Sequence, residues 1–321
     1  MRVNKDLFFE KTAAFLDIPL YQAKGSFSDK ADNDKAFAFY LDDTDNPVVG
    51  CWGRIYKFAS IEMLQIKSLC YNTPKDETIG KLLVEMRSDF PIVNIKDENL
   101  YRPELEKTFR LSGYRRPIGQ FGTNLTIIVD TSEPITYNRM WKRNIRSAKE
   151  QCEVTFSELN PPTAKQLDEI ISLFEENSKQ KHLSYCHTRS DLERWLSDEK
   201  FRLFVVKYVD EIIAARIIMV NGTKSADVAT ANGDKARSVK GSTQYLVDSI
   251  FETLRNEGVQ TFDFSCLPIG RMGAEGVCEF KGGVTSGRLV QYNGDWLATR
   301  KNWQRWMVWF INKYIRKVYE Y

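Results

Sequence analysis

The sequence predicts an α/β (α+β) chain of two tandem domains, each a mixed, largely antiparallel sheet flanked by helices. Three observations carry this. The chain has 321 residues, 42% of them hydrophobic, enough for two cores of ordinary domain size. Stretches with a two-residue apolar period alternate with stretches of helical period. The order hairpin, helix, strand occurs in both halves, which share little residue identity, so what repeats is the pattern.

In the first half, Leu7, Phe8, Ala14 and Phe15 recur at helical spacing, and Pro19 ends the segment. The period then falls to two in KAFAFYL (35–41), VVGCWGRIYKF (48–58) and SIEMLQIKSLCY (60–71), with DDTDNP as a hairpin turn between the first two. ETIGKLLVEMRSDF (77–90) places Ile79, Leu82, Leu83 and Met86 on one helical face, and PIVNIKD after it reads as a buried strand. RPELEKTFRLSGYRR (102–116) has Pro103 where a helix starts and Gly113 where it ends, and GTNLTIIVD (122–130) returns as a strand.

The second half opens on a basic helix, MWKRNIRSAKE (140–150), followed by strand EVTFSEL and helices AKQLDEIISLFEENSKQ and RSDLERWLSD. Strands FRLFVVKYV, EIIAARIIMV and SADVATAN lead to helix KGSTQYLVDSIFETLRNEG (240–258) with Leu246, Ile250, Phe251 and Leu254 inward. Strand TFDFSCL, a helix-like MGAEGVCEFKGG, strand GRLVQYN and a terminal helix complete it. The expected domains are 1–133 (structural, acceptor side), 134–297 (catalytic) and a Trp-rich amphipathic helix, 298–321, packing back on the first domain.

Composition excludes several function classes. A net charge of +3 is too small for wholesale nucleic-acid wrapping. Six cysteines (Cys51, Cys70, Cys152, Cys186, Cys266, Cys278) form no CxxC pair, the usage of a reducing compartment. The two histidines, His182 and His187, are five apart with no carboxylate set, which argues against a His-based triad and against a metal site. The N-terminal MRVNKDLFFEKTAAFLD mixes charge into its apolar residues and reads as neither a signal peptide nor a membrane span. A cytoplasmic protein is expected, with peripheral contact at the inner face of the membrane as the variant that the tail suggests.

Four clusters are candidates for chemistry. ARSVKGST (236–243) offers Arg237, Lys240, Gly241 and Ser242 at a helix N-terminus, where free N–H groups attract phosphate; an ordinary N-cap is the competing reading. Asp263 alternates with Phe262 and Phe264 near a strand end, placed either to take a proton or to cap the next turn. Lys142, Arg143, Arg146 and Lys149 share the basic helix, either for phosphates of a tRNA acceptor end or a nucleotide-linked precursor, or as a solvated face. The tail WLATRKNWQRWMVWFINKYIRKVYEY (296–321) has the composition of a membrane interface or of a helix packed on a domain.

The ordered series from the 210–265 strands and helix through Thr261–Ser265 to Gly273, Gly276 and Phe280-Lys281 resembles the second domain of the FemABX peptidoglycan-bridge enzymes. WKRNIRSAKEQCEVTF (141–156) and FEENSKQKHLSY (174–185) are similar to that domain's opening, and PLYQAKGSF (19–27) and SGYRRPIGQFGTNLTIIVD (112–130) to the ends of its first domain. The resemblance covers most of residues 18–292 and implies two GNAT-like domains and an N-acyltransferase. Such an enzyme forms an amide between an activated acyl donor and a primary amine, here one on a peptidoglycan precursor peptide. The donor is a cosubstrate rather than a resident cofactor: aminoacyl-tRNA in this family, acyl-CoA in related acetyltransferases. The acyl-CoA pattern has Gly where Lys240 stands, which favours aminoacyl-tRNA. By the same resemblance Lys281 stabilises the developing oxyanion beside Phe280, and Tyr21, Gln22, Tyr114, Arg115, Arg143 and Arg146 lie on the acceptor side. The family commonly continues with two residues and Phe-Gly-Gly, whereas this chain reads GGVTSG (282–287), and that departure keeps a non-catalytic precursor- or membrane-binding protein open as an alternative.

Overall fold

The computed structural model describes residues 1–28, 36–58, 60–72, 75–151, 153–181 and 186–320. Expectations for Cys152, for His182 and for the end of the 174–185 segment lie outside these residues.

The elements run β1 (Arg2–Val3), α1 (Lys5–Thr12), β2 (Phe37–Leu41), β3 (Val49–Phe58), β4 (Ile61–Lys67), β5 (Cys70–Tyr71), α2 (Asp76–Asp89), β6 (Ile92–Leu100) and α3 (Pro103–Leu111). Next come β7 (Leu125–Asp130), α4 (Arg139–Gln151), β8 (Val154–Leu159), α5 (Ala164–Gln180), α6 (Arg189–Leu196), β9 (Phe201–Tyr208), β10 (Glu211–Asn221) and β11 (Lys224–Asn232). The chain ends with α7 (Asp234–Ser238), α8 (Ser242–Asn256), β12 (Thr261–Cys266), α9 (Glu275–Gly282), β13 (Arg288–Thr299) and α10 (Asn302–Phe310), which widens into a π turn over Ile311–Ile315.

Two compact units result, and neither is a single span of sequence. Unit 1 comprises Met1–Thr126, Cys266–Glu275 and Val290–Tyr321; unit 2 comprises Ile127–Ser265 and Gly276–Leu289.

In unit 1 the strand order is β1-β2-β3-β4-β6-β13, with β5 on β3. Asp42 Oδ1 accepts from Val48 N and Val49 N, both at 2.9 Å, and so fixes the DDTDNP turn. The crossover α2 brings β6 parallel to β4. It buries Ile79, Leu82, Leu83 and Met86, the face the spacing predicts, worth about 6–12 kcal/mol before chain entropy. Gly113, at φ 84°, ends the α3 segment in the left-handed region, as a helix C-terminal glycine does.

β13 continues to Thr299, so Trp296 belongs to a strand rather than to the amphipathic tail. It is fully buried and stacks on Phe109 at 4.8 Å. Pairing of β13 with β6 over Ile92–Leu100 explains the difference, because it turns the Trp296 indole into the unit 1 core. From α10, Val308 packs with Ile92 and Leu297.

Unit 2 has the order β7-β12-β11-β10-β9-β8. β9, β10 and β11 form an antiparallel meander, and α8 crosses over to set β12 parallel to β11. Its buried face is Leu246, Val247, Ile250, Phe251 and Leu254. In unit 1, Cys51 and Cys70 are buried, free of disulfides, and pack as small hydrophobes. His187 packs between Phe174 (5.1 Å) and Trp195 (4.9 Å), and burial pushes its pKa down. Among the described residues no group of three metal-ligating side chains converges, and no helix is long and apolar enough to cross a membrane.

Candidate active site

β11 and β12 pair over only three residues, Lys224↔Thr261, Ser225↔Phe262 and Ala226↔Asp263. Beyond that point side chains join the two strands. Ser265, at φ 57°, donates its hydroxyl to Asp227 O at 2.6 Å, and Asp263 Oδ1 accepts from Ser265 N at 2.7 Å. Lys281, at the end of α9, donates from Nζ to Phe264 O at 2.7 Å and Ser265 O at 3.4 Å. Asp263 thus shapes the turn whose carbonyls hold the lysine, and the structure brings Asp263, Phe280 and Lys281 together at one strand end.

Phe280 is held from both sides. Trp141 of α4 lies 4.8 Å from its ring centroid, and the Arg216 guanidinium lies 5.6 Å from it. Trp141 is fully buried and stacks on Tyr137, whose hydroxyl donates to Asp248 Oδ1 of α8 at 2.8 Å. Lys149 donates to the other Asp248 oxygen at 2.9 Å, so α4 and α8 are clamped together behind Phe280. Gly283, in the GGVTSG departure, has a local reason: a Cβ there would lie 2.0 Å from Trp141 Nε1.

Arg216 is a charge set in the apolar run IIAARIIMV and is only 4% exposed. It is ion-paired to Asp227 on the neighbouring strand, as a buried charge requires. Its Nε nevertheless has no partner among the described residues, nor has Trp141 Nε1 or Asn232 Oδ1. Buried polar atoms are rarely left unbonded, and the Arg216 Nε, on a guanidinium beside Phe280, marks where a polar ligand would be satisfied. At the end of α5, burial lowers the Lys181 pKa, and the charges of Arg237 and Arg216 lower it further.

The 236–243 turn is built differently from a phosphate cradle. Gly241 sits at φ 85°, and a Cβ on it would lie 1.9 Å from Asn144 O, so its smallness serves the approach of α4. Ser242 is buried and donates to Ala236 O at 2.8 Å. Arg237 and Lys240 stay exposed, and no side chain caps α8. On α4, Arg143 is exposed and Arg146 pairs with Glu150 at 3.1 Å.

The acceptor-side residues of unit 1 divide. The Gln22 side chain is buried, donating to Trp52 O (3.0 Å) and Lys67 O (2.7 Å) and accepting from Trp52 N (2.7 Å). Tyr114 is buried with its hydroxyl on Leu83 O at 3.1 Å. Both therefore hold the fold. Tyr21 carries the Lys67 ammonium 3.7 Å from its ring centroid, and burial lowers that lysine's pKa. Arg115 is exposed and lines a small cavity.

Residues 137–282 match the acetyltransferase (GNAT) domain family, ending one residue past Lys281. The crystal structure of FemX superposes with a TM-score of 0.73 at 12% identity, covering 96% of this chain and 98% of that one. The fold is a FemABX-like tandem GNAT. Two further structures share it. The C-terminal domain of a protein assigned as a lysylphosphatidylglycerol synthetase from Agrobacterium fabrum has a TM-score of 0.61 at 15% identity, over 86% of this chain and 87% of that one. L-PGS from Bacillus licheniformis has a TM-score of 0.58 at 18% identity, over 85% and 88%. No curated protein matches the sequence. The GNAT match assigns unit 2 to an acyltransferase-type domain, and the fold agrees with the tandem architecture read from the repeat of pattern.

Sequence reasoning missed Trp141, Lys181 and Arg216. Arg216 had a signal: a single charge inside a nine-residue apolar strand is stable only when paired, which points to a buried polar cluster.

Proposed function

We propose that the chain is an N-acyltransferase that joins an aminoacyl group, delivered as its tRNA ester, to a primary amine of a peptidoglycan precursor peptide. The observation that carries this reading is the Lys281 ammonium at the parting of β11 and β12, next to a Phe280 ring flanked by Trp141 and Arg216. In this scheme the amine attacks the ester carbonyl and a C–N bond forms. The carbonyl oxygen becomes an oxyanion facing Lys281, and preformed positive charge there lowers the barrier. Collapse breaks the C–O bond, and the amine's proton leaves with the ribose oxygen. Asp263 acts as a positioning residue, through the Ser265 turn.

The donor choice is supported by the 236–243 turn. Gly241 is occupied by the Asn144 carbonyl and the Ser242 hydroxyl by Ala236, which leaves little of a pyrophosphate cradle for acyl-CoA. Exposed Lys181 and Arg237 supply charge for the terminal phosphates of a tRNA acceptor end. The donor acts as a cosubstrate, and the proposed setting is the cytoplasm, where both substrates of such a reaction are made. The peptidoglycan acceptor rests on the FemABX resemblance.

A donor screen tests the reading. Purified protein is incubated with a nucleotide-linked muropeptide and either aminoacyl-tRNA or acyl-CoA, and the peptide product is read by mass. Product with the first donor supports the proposal; turnover with acyl-CoA alone overturns the donor, and product with neither overturns the enzyme.

A further inference from the structure

Unit 1 contains a cavity of about 300 Å³ lined by Arg87, Arg110, Arg115 and Arg305, together with Thr299 and Asn302. No carboxylate lines it. One carboxylate stands beside it: Glu106 takes Arg110 at 2.7 Å and Arg116 at 3.0 Å. Arg87 is spent on Ser112 O at 3.2 Å, and Arg305 donates from Nη2 to Arg116 O at 2.9 Å while its buried Nε finds no partner among the described residues. Carbonyl partners orient a guanidinium without neutralising it, so the cavity holds an excess of positive charge aimed at an oxyanion.

The same helix that supplies Asn302 and Arg305 carries a second feature. Trp303, Trp306 and Phe310, at 51%, 60% and 51% exposure, follow one another at spacings of three and four, and Tyr314 continues the row at 53%. At 100° per residue this ridge lies opposite Gln304 and Val308, which are buried, and borders the face that lines the cavity. Arg300 and Lys301 before the helix and Arg316 and Lys317 after it are exposed. A row of large exposed rings costs solubility unless something covers it.

We propose that this face docks on a membrane rich in anionic phospholipid, with the aromatic ridge in the interfacial layer and the arginine cavity receiving a lipid phosphate. Trp and Tyr beside Arg and Lys on one face is the composition suited to that interface, because the rings bridge apolar and wet layers while the long cations reach the headgroups. Ile315, exposed beside Tyr314, adds aliphatic surface, which favours a bilayer over a nucleic acid that would need only stacking rings. The site lies wholly in unit 1 and rests on none of the residues assigned to acyl transfer above except Arg115, an acceptor-side candidate that it reassigns.

The test is vesicle flotation with the full chain, reading bound fraction and tryptophan emission. The vesicles are phosphatidylcholine alone, or equal parts phosphatidylcholine and phosphatidylglycerol. Binding is expected to the anionic vesicles, with a blue shift of emission. It should weaken about fivefold with Arg115→Gln and again with Arg305→Gln, and be abolished by Trp303→Ser combined with Trp306→Ser, all with thermal midpoints near wild type. A variant that melts early is replaced by Trp306→Tyr, expected to retain binding. Equal binding to both vesicles, unchanged binding by the variants, or capture of inorganic phosphate or single-stranded RNA by the arginines without vesicle binding would each overturn the proposal.

Discussion

In unit 1 the parallel strands β4 and β6 stay paired over five residues, Met63↔Ile92 to Lys67↔Lys96, and neutral amides then bridge their ends. Asn99 Nδ2 donates to Leu69 O at 2.9 Å and Ser68 Oγ accepts from Glu98 N at 2.8 Å, while Gln22 ties the end of β4, at Lys67, to Trp52 of β3. In unit 2 the equivalent pair, β11 and β12, separates after three residues; Ser265 Oγ ties it to Asp227 O, and an ammonium, Lys281, sits on the β12 carbonyls beyond. The same crossover is therefore finished once with groups that only need partners and once with a charge that can act on a substrate. A neutral amide closes a strand end as well as a lysine does. Under the proposed function that cation has the task of facing the oxyanion.

The largest effect should separate those two endings. Lys281→Ala is expected to lower acyl transfer about 10²- to 10³-fold, the scale of losing one oxyanion-stabilising group, while Asn99→Ala, at the unit 1 ending, leaves the rate within a few-fold. Steady-state rates at saturating amine decide it. Transfer undiminished in Lys281→Ala would remove the lysine from the chemistry and erase the contrast.

Next is the backbone approach that unit 2 needs. Gly241→Ala combines a left-handed φ with a Cβ 1.9 Å from Asn144 O, and both neighbours are backbone, so the loss should be about 2–4 kcal/mol by denaturant titration. Gly276→Ala, with nothing within 4 Å and no positive φ, is the matched control and should be near neutral.

These residues show what was legible from sequence. The element order, the buried faces of α2 and α8 and the helix end at Gly113 follow from period and punctuation, which are local properties. Gly241 was legible as a special position but not in its purpose, because the atom that requires it, Asn144 O, is nearly a hundred residues away in sequence. Gln22 and Tyr114, put on the acceptor side by resemblance, are buried, and a polar side chain with backbone partners is indistinguishable in sequence from one that meets a substrate. Trp141 and Arg216 meet only through Phe280, a convergence of three elements that no spacing encodes.

A pH experiment probes the unit 1 ending. Burial pushes the Asp97 carboxyl up to about 6, against hydrogen bonds from Asn293 and Asn99 that hold it down. A carboxyl raised on folding contributes stability that is full below its ordinary value, near 4, and is lost as pH rises through the folded value. Wild type should therefore lose on the order of 2–3 kcal/mol relative to Asp97→Asn between pH 4 and 7. Melting the pair side by side across that window checks it. A difference that stays flat would mean the amides from Asn293 and Asn99 already offset the burial.

The smallest effect concerns Gln22 itself. Gln22→Ala removes three hydrogen bonds and strands Lys67 O, Trp52 O and Trp52 N, so the expected loss is about 1–3 kcal/mol with no change in the rate constant at saturating substrates. A lower rate at unchanged stability would contradict the comparison. It would return Gln22 to the acceptor side, where the family resemblance puts it, and make the unit 1 ending part of the active machinery rather than its closed counterpart.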